Sequence, residues 1–133
     1  MDAKEIVVAY YRAVTEGRFD DIAKYKAPDA TYWISGKNSW PLGGWRTPQD
    51  MDRTFKLIQK RFPDGLKISI KSIIGEGSQV VVYLNNLAER IDGKIYDNDI
   101  VVIMKIENGL IVEEREFLDT IHVNDLFFGI LNK

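Results

Sequence analysis

Two hydrophobic periods divide the chain. In the first half, Ile6, Tyr10, Ala13 and Val14 recur at helical spacing behind Asp2 and Glu5, a pair with capping-box spacing, and Gly17 offers a C-terminal cap. Phe19, Ile22 and Tyr25, three apart, predict a short second helix that Ala27-Pro28-Asp29 ends. Residues 30–34 are β-branched and aromatic and read as a strand, and residues 35–46 form a loop rich in Gly, Pro and Trp. Thr47 as N-cap and Pro48 at the first helical position open a third helix, with Met51, Phe55, Ile58 and Phe62 as its apolar stripe. Pro63-Asp64-Gly65 closes it. From there the pattern changes to long strands, predicted at 66–74, 79–89, 94–106 and 110–119. The turns between them are Gly75-Glu76-Gly77-Ser78, Asp92-Gly93 and Glu107-Asn108-Gly109. An apolar tail, residues 123–130, follows.

Helices first and a meander afterwards make the class α+β, one domain over residues 1–133, with no linker or repeat. The third long strand adds a feature. Ile100, Val102 and Met104 face one way while Val101 and Ile103 face the other, so both faces are apolar. A sheet with helices on one side should instead read apolar-polar, so its outer face is expected to be covered, by a second copy of the chain in a homodimer or by the tail folding back. The homodimer is the expectation.

Composition then narrows the chemistry. Among 133 residues there are no cysteines, one histidine and three tryptophans, and the formal charge is −2. Disulfides, thiolate nucleophiles and thiolate metal sites are excluded, and a multi-histidine site within one chain is impossible. No metal and no cofactor are expected. The near-neutral charge argues against nucleic acid as the main partner. The longest uninterrupted apolar run is residues 100–104, far short of the roughly 20 a membrane helix needs, and the N-terminus is not that of a signal peptide. No membrane partner and a cytoplasmic location are expected. Gly43-Gly44 and Gly75-Glu76-Gly77 lack the spacing and lysine of a nucleotide loop.

Several strings are similar to a known superfamily. They are Gly17-Arg18-Phe19-Asp20, Ala27-Pro28-Asp29-Ala30, Pro41-Leu42-Gly43-Gly44, Asp92-Gly93-Lys94-Ile95-Tyr96-Asp97-Asn98, Glu107-Asn108-Gly109 and Arg115-Glu116-Phe117-Leu118-Asp119-Thr120. Order and strings resemble the cone-shaped fold of nuclear transport factor 2 and ketosteroid isomerase, and within it the SnoaL-like branch, named for a polyketide cyclase. The resemblance implies three N-terminal helices on a strongly curved, mainly antiparallel sheet forming a cone-shaped barrel, a short C-terminal helix or tail, and a small apolar or aromatic ligand in the cone. It does not fix the chemistry, because this fold hosts isomerases, cyclases, dehydratases, epoxide hydrolases and binders. Tyr10 stands where the ketosteroid isomerases carry an oxyanion-hole tyrosine. Their general base falls at Ile34 and their second donor at Val102, so that mechanism is not expected. The catalytic aspartate of the cyclase branch aligns with Asp119.

Residue spacing adds to this. Period two puts Arg115, Phe117 and Asp119 on one face of the last strand; if Phe117 points inward, the other two go with it. A carboxylate in an apolar cup beside a cation could act as a general base, and His122, three residues on, could assist it. Tyr10 shares the stripe of Ile6 and Val14, and Tyr11 cannot share it too. Tyr96, Asn98 and Val102 lie on one strand face, and Asn98 could orient a carbonyl or hydroxyl. Trp33, Trp40 and Trp45 cluster beside Tyr32 and suggest an aromatic pocket rim, or a loop pinned by its indoles. The expected catalytic residues are therefore Asp119, His122 and Tyr10, and the expected ligand contacts are Tyr32, Trp33, Trp40, Phe55, Tyr96, Asn98, Val102, Arg115 and Phe117. The expected activity is cofactor-independent isomerase, cyclase or lyase chemistry on a small apolar carbonyl or hydroxyl compound. A non-catalytic binder or assembly module is the alternative, and epoxide-hydrolase-like water activation a further one.

Overall fold

A computed structural model describes residues 1–132. Helix α1, Ala3–Thr15, begins at the capping box of Asp2 and Glu5, and Glu5 N donates to Asp2 Oδ1 at 2.9 Å. The second helical segment, Phe19–Lys24, is a single 3-10 piece that buries no residue. Strand β1 runs Lys26–Ile34, four residues longer at its start than the sequence pattern indicates, because Pro28 obscured the strand. A short strand β2, Gly44–Arg46, lies inside the stretch read as loop. Helix α2, Pro48–Arg61, starts on a second capping box, Thr47 with Asp50. The strands β3 Lys67–Glu76, β4 Gln79–Glu89, β5 Ile95–Glu107 and β6 Leu110–Phe117 follow, and helix α3, Thr120–Phe128, ends the fold.

The six strands form one sheet in the order β2-β1-β6-β5-β4-β3. All neighbours are antiparallel except β1 and β6, which run parallel. The sheet is strongly curved and mainly antiparallel, as expected, and it does not close, leaving β2 and β3 as its free edges. The tight turn from β5 to β6 uses Asn108 at φ 52° and Gly109 at φ 77°, the positive pair such a turn favours.

Helices cover one face of the sheet. α1 packs Ile6, Val7, Tyr10 and Tyr11 against Val80, Val82, Leu84 and the inner residues of β5, forming one core cluster. α3 packs Val123, Leu126 and Phe127 with Phe62, Tyr96 and Trp40 in a second cluster. The tail therefore does not fold back over the outer face: α3 buries Val123, Leu126 and Phe127 inside the cone. Arg90, 2% exposed, holds it there, donating to the Asp125, Leu126 and Ile130 carbonyls while its guanidinium pairs with both oxygens of Asp92. No described helix is long and apolar enough to cross a membrane.

Candidate functional site

A narrow cavity of about 90 Å³ lies where the two core clusters meet. Its apolar wall includes Tyr11, Ile34, Trp40, Phe55, Ile100 and Phe127, and its polar wall is built by β1 and β6. The polar wall depends on a bulge. Ile106 pairs with Ile111, but Lys105 pairs with Glu113, so Val112 is an extra residue in β6. Strict alternation from the buried Ile111 would turn residues 113, 115 and 117 inward. The inserted residue shifts the phase by one, and Glu114, Glu116 and Leu118 point into the cone instead. Strand β1 runs alongside with Tyr32 and Ile34 facing the cavity and Lys26 at its start.

These groups form one polar cluster. The Lys26 ammonium sits 2.5 Å from Glu114 Oε2, and Glu114 is 1% exposed. The same ammonium lies 5.6 Å from the centre of the Tyr10 ring and 5.1 Å from that of Tyr32. Burial alone would push Lys26 down, but attraction to Glu114 and the nearby Tyr10 oxygen outweigh it and hold the lysine above its ordinary range. Burial pushes the Tyr10 hydroxyl up, so it stays protonated as a donor. Glu116 has no such full partner. Its carboxyl is pushed up to about 7 by burial and by the charge of Glu114, with the Tyr32 hydroxyl and the Lys26 ammonium restraining the rise. Two inward carboxylates on one strand thus take different roles: Glu114 is ion-paired, and Glu116 faces the cavity poised near neutrality. At the far side Asn86, 8% exposed, presents an Oδ1 with no hydrogen-bond partner. Among the described residues, no three His, Cys, Asp or Glu side chains gather to hold a metal ion.

An outer groove between the 3-10 segment, β1 and α2 shares Tyr32, Met51 and Phe55 with the cavity, so these three residues form the partition between inside and outside.

The model of the SnoaL-like domain matches residues 7–114. The chain belongs to the SnoaL-like family. Solved structures with this fold include wild-type IdmH from Streptomyces antibioticus, a candidate polyketide cyclase, at 17% identity and TM-score 0.77, covering 95% of this chain and 98% of that one. TerC, crystallised with polyporic acid, shares 18% identity at TM-score 0.79 over 94% of this chain and 97% of its own. A Xanthomonas campestris protein of unknown function with a cystatin-like fold shares 19% identity at TM-score 0.81, covering 96% and 98%. No curated protein matches the chain in sequence. At such identities the neighbours establish the fold and no more.

Several expected site residues of this SnoaL-like chain lie elsewhere. Arg115 and Phe117 are on the outer face because of the β6 bulge: Phe117 is 42% exposed and packs on Trp33 at 5.1 Å, and Arg115 lies 4.9 Å from the centre of the Trp45 ring. Trp33 and Trp45 pair with each other across β1 and β2, so both leave the cavity, and the three tryptophans do not form a common rim. Trp40 alone lines the cavity, its indole N–H donating to the Ser35 carbonyl at 2.9 Å. Asp119 does not enter the cone. It is exposed, and its Oδ1 caps α3 by accepting from His122 N at 3.0 Å. His122 stacks on Tyr96 at 5.3 Å and its Nε2 accepts from the Asp97 backbone N–H, so the two residues meet only through the helix cap. Asn98 is buried but spent, donating to Tyr96 Oη and the Asp119 carbonyl while accepting from Asp119 N. Val102 is fully buried core.

Tyr10, Tyr32, Trp40, Phe55 and Tyr96 do line the cavity. Tyr11 does as well, against expectation, since its ring meets Tyr10 edge-on at 5.0 Å and both side chains fit beneath one helix. Sequence reasoning missed Lys26, Asn86, Glu114 and Glu116. Strand β6 reads as three apolar residues, Leu110 to Val112, followed by four charged ones, Glu113 to Glu116, so its sequence carries no alternation from which the phase could be read.

Proposed function

We propose that the chain is a cofactor-independent isomerase, cyclase or lyase acting on a small, largely apolar carbonyl or hydroxyl compound, with Glu116 as its general base. The observation that carries this reading is the pairing of roles on β6: Lys26 neutralises Glu114 and leaves Glu116 as the titrating carboxyl in an aromatic cavity. For a ketone, the Glu116 carboxylate takes the proton from the carbon next to the carbonyl. The C–H electron pair forms the enolate double bond, and charge moves to the carbonyl oxygen. The Tyr10 hydroxyl, backed by the Lys26 ammonium, donates to that oxygen. Returning the proton at another carbon completes an isomerisation; attack by the enolate carbon on a second carbonyl moves that carbonyl's π pair onto its oxygen, which takes the proton back from Glu116 to complete a cyclisation. The likeness to IdmH agrees with this chemistry class.

Phenylacetone in heavy water tests the step, with deuterium uptake at the carbons beside its carbonyl followed by NMR. The wild type should accelerate exchange, E116Q should lose that acceleration by about a hundredfold or more, and D119N should retain it. Equal exchange by the wild type and E116Q would contradict the reading.

The outer face supports a homodimer as the working unit. Val101, Tyr83 and Phe117, each about two-fifths exposed, adjoin across three strands, and α3 leaves them uncovered. Light scattering should give a dimer mass for the wild type and a monomer for V101E.

A further inference from the structure

Asn86 and Asn98 face each other across β4 and β5, both pointing into the cone and both buried. They differ in one respect. The Asn98 amide makes three hydrogen bonds, all to Tyr96 and Asp119, whereas Asn86 Oδ1 makes none. On its other side Asn86 is opposite Ile68 of β3, a hydrocarbon. Its neighbours along the same strand face are Leu84 and Ala88. No protein group nearby serves its carbonyl, and a leucine would fit the surrounding apolar packing without the cost of a buried, unserved acceptor. The side chain lines the same cavity as Glu116.

Position within the sheet separates the two. Glu116 is opposite Val102 of β5 and Asn86 is opposite Asn98, four residues away along that strand. At roughly 3.3 Å per residue and about 4.8 Å per strand, that is about 13 Å along the strands and about 10 Å across them, with both side chains reaching into the cone from opposite sides of β5. The wall between them is aromatic, with Tyr10, Tyr11, Phe55, Tyr96 and Phe127. A flat ring substituted at both ends matches this layout, one end for Glu116 and the other for Asn86.

We propose that Asn86 is a ligand-anchoring and specificity-determining residue: the cavity selects flat, largely apolar molecules that carry a hydrogen-bond donor, a hydroxyl or N–H, at the end remote from the group Glu116 reaches. The proposal rests on the cavity being a ligand site and deepens the function proposed above. It specifies a donor rather than an acceptor because the unserved atom that is fully buried is the amide oxygen. A ligand hydroxyl there pairs a buried acceptor that otherwise goes unserved, and that is the situation in which a site discriminates strongly against an analogue lacking the hydroxyl.

Three probes test this by NMR titration of the isotopically labelled protein: para-hydroxyphenylacetone, phenylacetone and para-methoxyphenylacetone. The first can donate from the ring end; the third can only accept. The wild type should bind the hydroxy compound about tenfold more tightly than either of the others. In N86L that preference should fall to within about twofold while phenylacetone still binds, and the melting temperature should be unchanged or higher. Equal affinities in the wild type, a preference for the methoxy compound, survival of the preference in N86L, or no saturable binding of any probe would overturn the proposal. So would a melting temperature several degrees lower in N86L, which would mark Asn86 as structural. E116Q separates this from the catalytic reading. If the wild type shows no exchange but both it and E116Q keep the hydroxyl preference, the general base fails and the anchor stands.

Discussion

The two polar corners of the cone were assembled from similar residues and have opposite fates. One, at the junction of β6 and α3, holds Asn98, Asp119 and His122. There the amide of Asn98 bonds both the N–H and the carbonyl of Asp119, the Asp119 carboxylate caps α3, and His122 accepts from Asp97. Its hydrogen bonds join strand to helix and leave no group facing a ligand. The other corner, on β1 and β6, holds Lys26, Glu114 and Glu116. One ion pair forms there, and a carboxyl is left over inside the cavity. The first corner contains the only histidine and an aspartate three residues before it, which is what sequence reasoning looks for. The second contains the carboxyl proposed as the base. A reactive group differs from a structural one by what remains after its neighbours are served, and that is a property of packing.

The largest effect that would break this comparison is at Lys26. K26M leaves the buried Glu114 carboxylate alone, and stability should fall by about 3–5 kcal/mol in chemical denaturation. Adding E114Q should recover much of that loss, and failure to recover any would show that the pair is not the reason for the cost. Next is Asn98. N98L strips partners from both the N–H and the carbonyl of Asp119 and should cost about 2–3 kcal/mol, with the outer groove and the Lys26–Glu114 pair unaffected.

Glu116 should show itself in the pH dependence of stability. Its carboxyl binds a proton more tightly in the folded protein, at about 7, than at the ordinary carboxylate value of 4.5. The folded state therefore gains from protonation below the ordinary value, and the gain is lost as pH rises from there through about 7. Wild-type stability should decline across that window by on the order of 1–3 kcal/mol relative to E116Q, measured by denaturant melts at several pH values. The smallest effect is at the helix cap: D119A should cost about 1 kcal/mol and D119N a few tenths at most, because asparagine also caps. A larger loss of catalysis than of stability in D119N would return Asp119 to the active site.

Much of the fold was legible because local chemistry and tertiary packing agree there. Asp2 with Glu5, and Thr47 with Pro48 and Asp50, start their helices as their side chains require. Gln79–Glu89 has the bounds its alternation indicates, and Asn108-Gly109 turns the chain where its conformational freedom allows. The apolar wall was partly legible for the same reason: Tyr10, Phe55 and Tyr96 sit on stripes that must face inward. The polar wall was not, because one extra residue at Val112 inverts everything after it on β6. Arg115, Phe117 and Asp119 share a face, as period two requires, but it is the outer one for the first two, and Asp119 lies beyond the strand's end. Lys26 was hidden differently. It precedes Pro28 in a segment that reads as a helix end, and only the parallel pairing of β1 with β6 brings its ammonium to Glu114.

The most direct test of the account is the titration of Glu116 itself, followed by carbon NMR of side-chain carboxyls and assigned by the loss of its signal in E116Q. A midpoint near 7 is the predicted result. A Glu116 midpoint at the ordinary carboxylate value, unchanged by K26M, would contradict it.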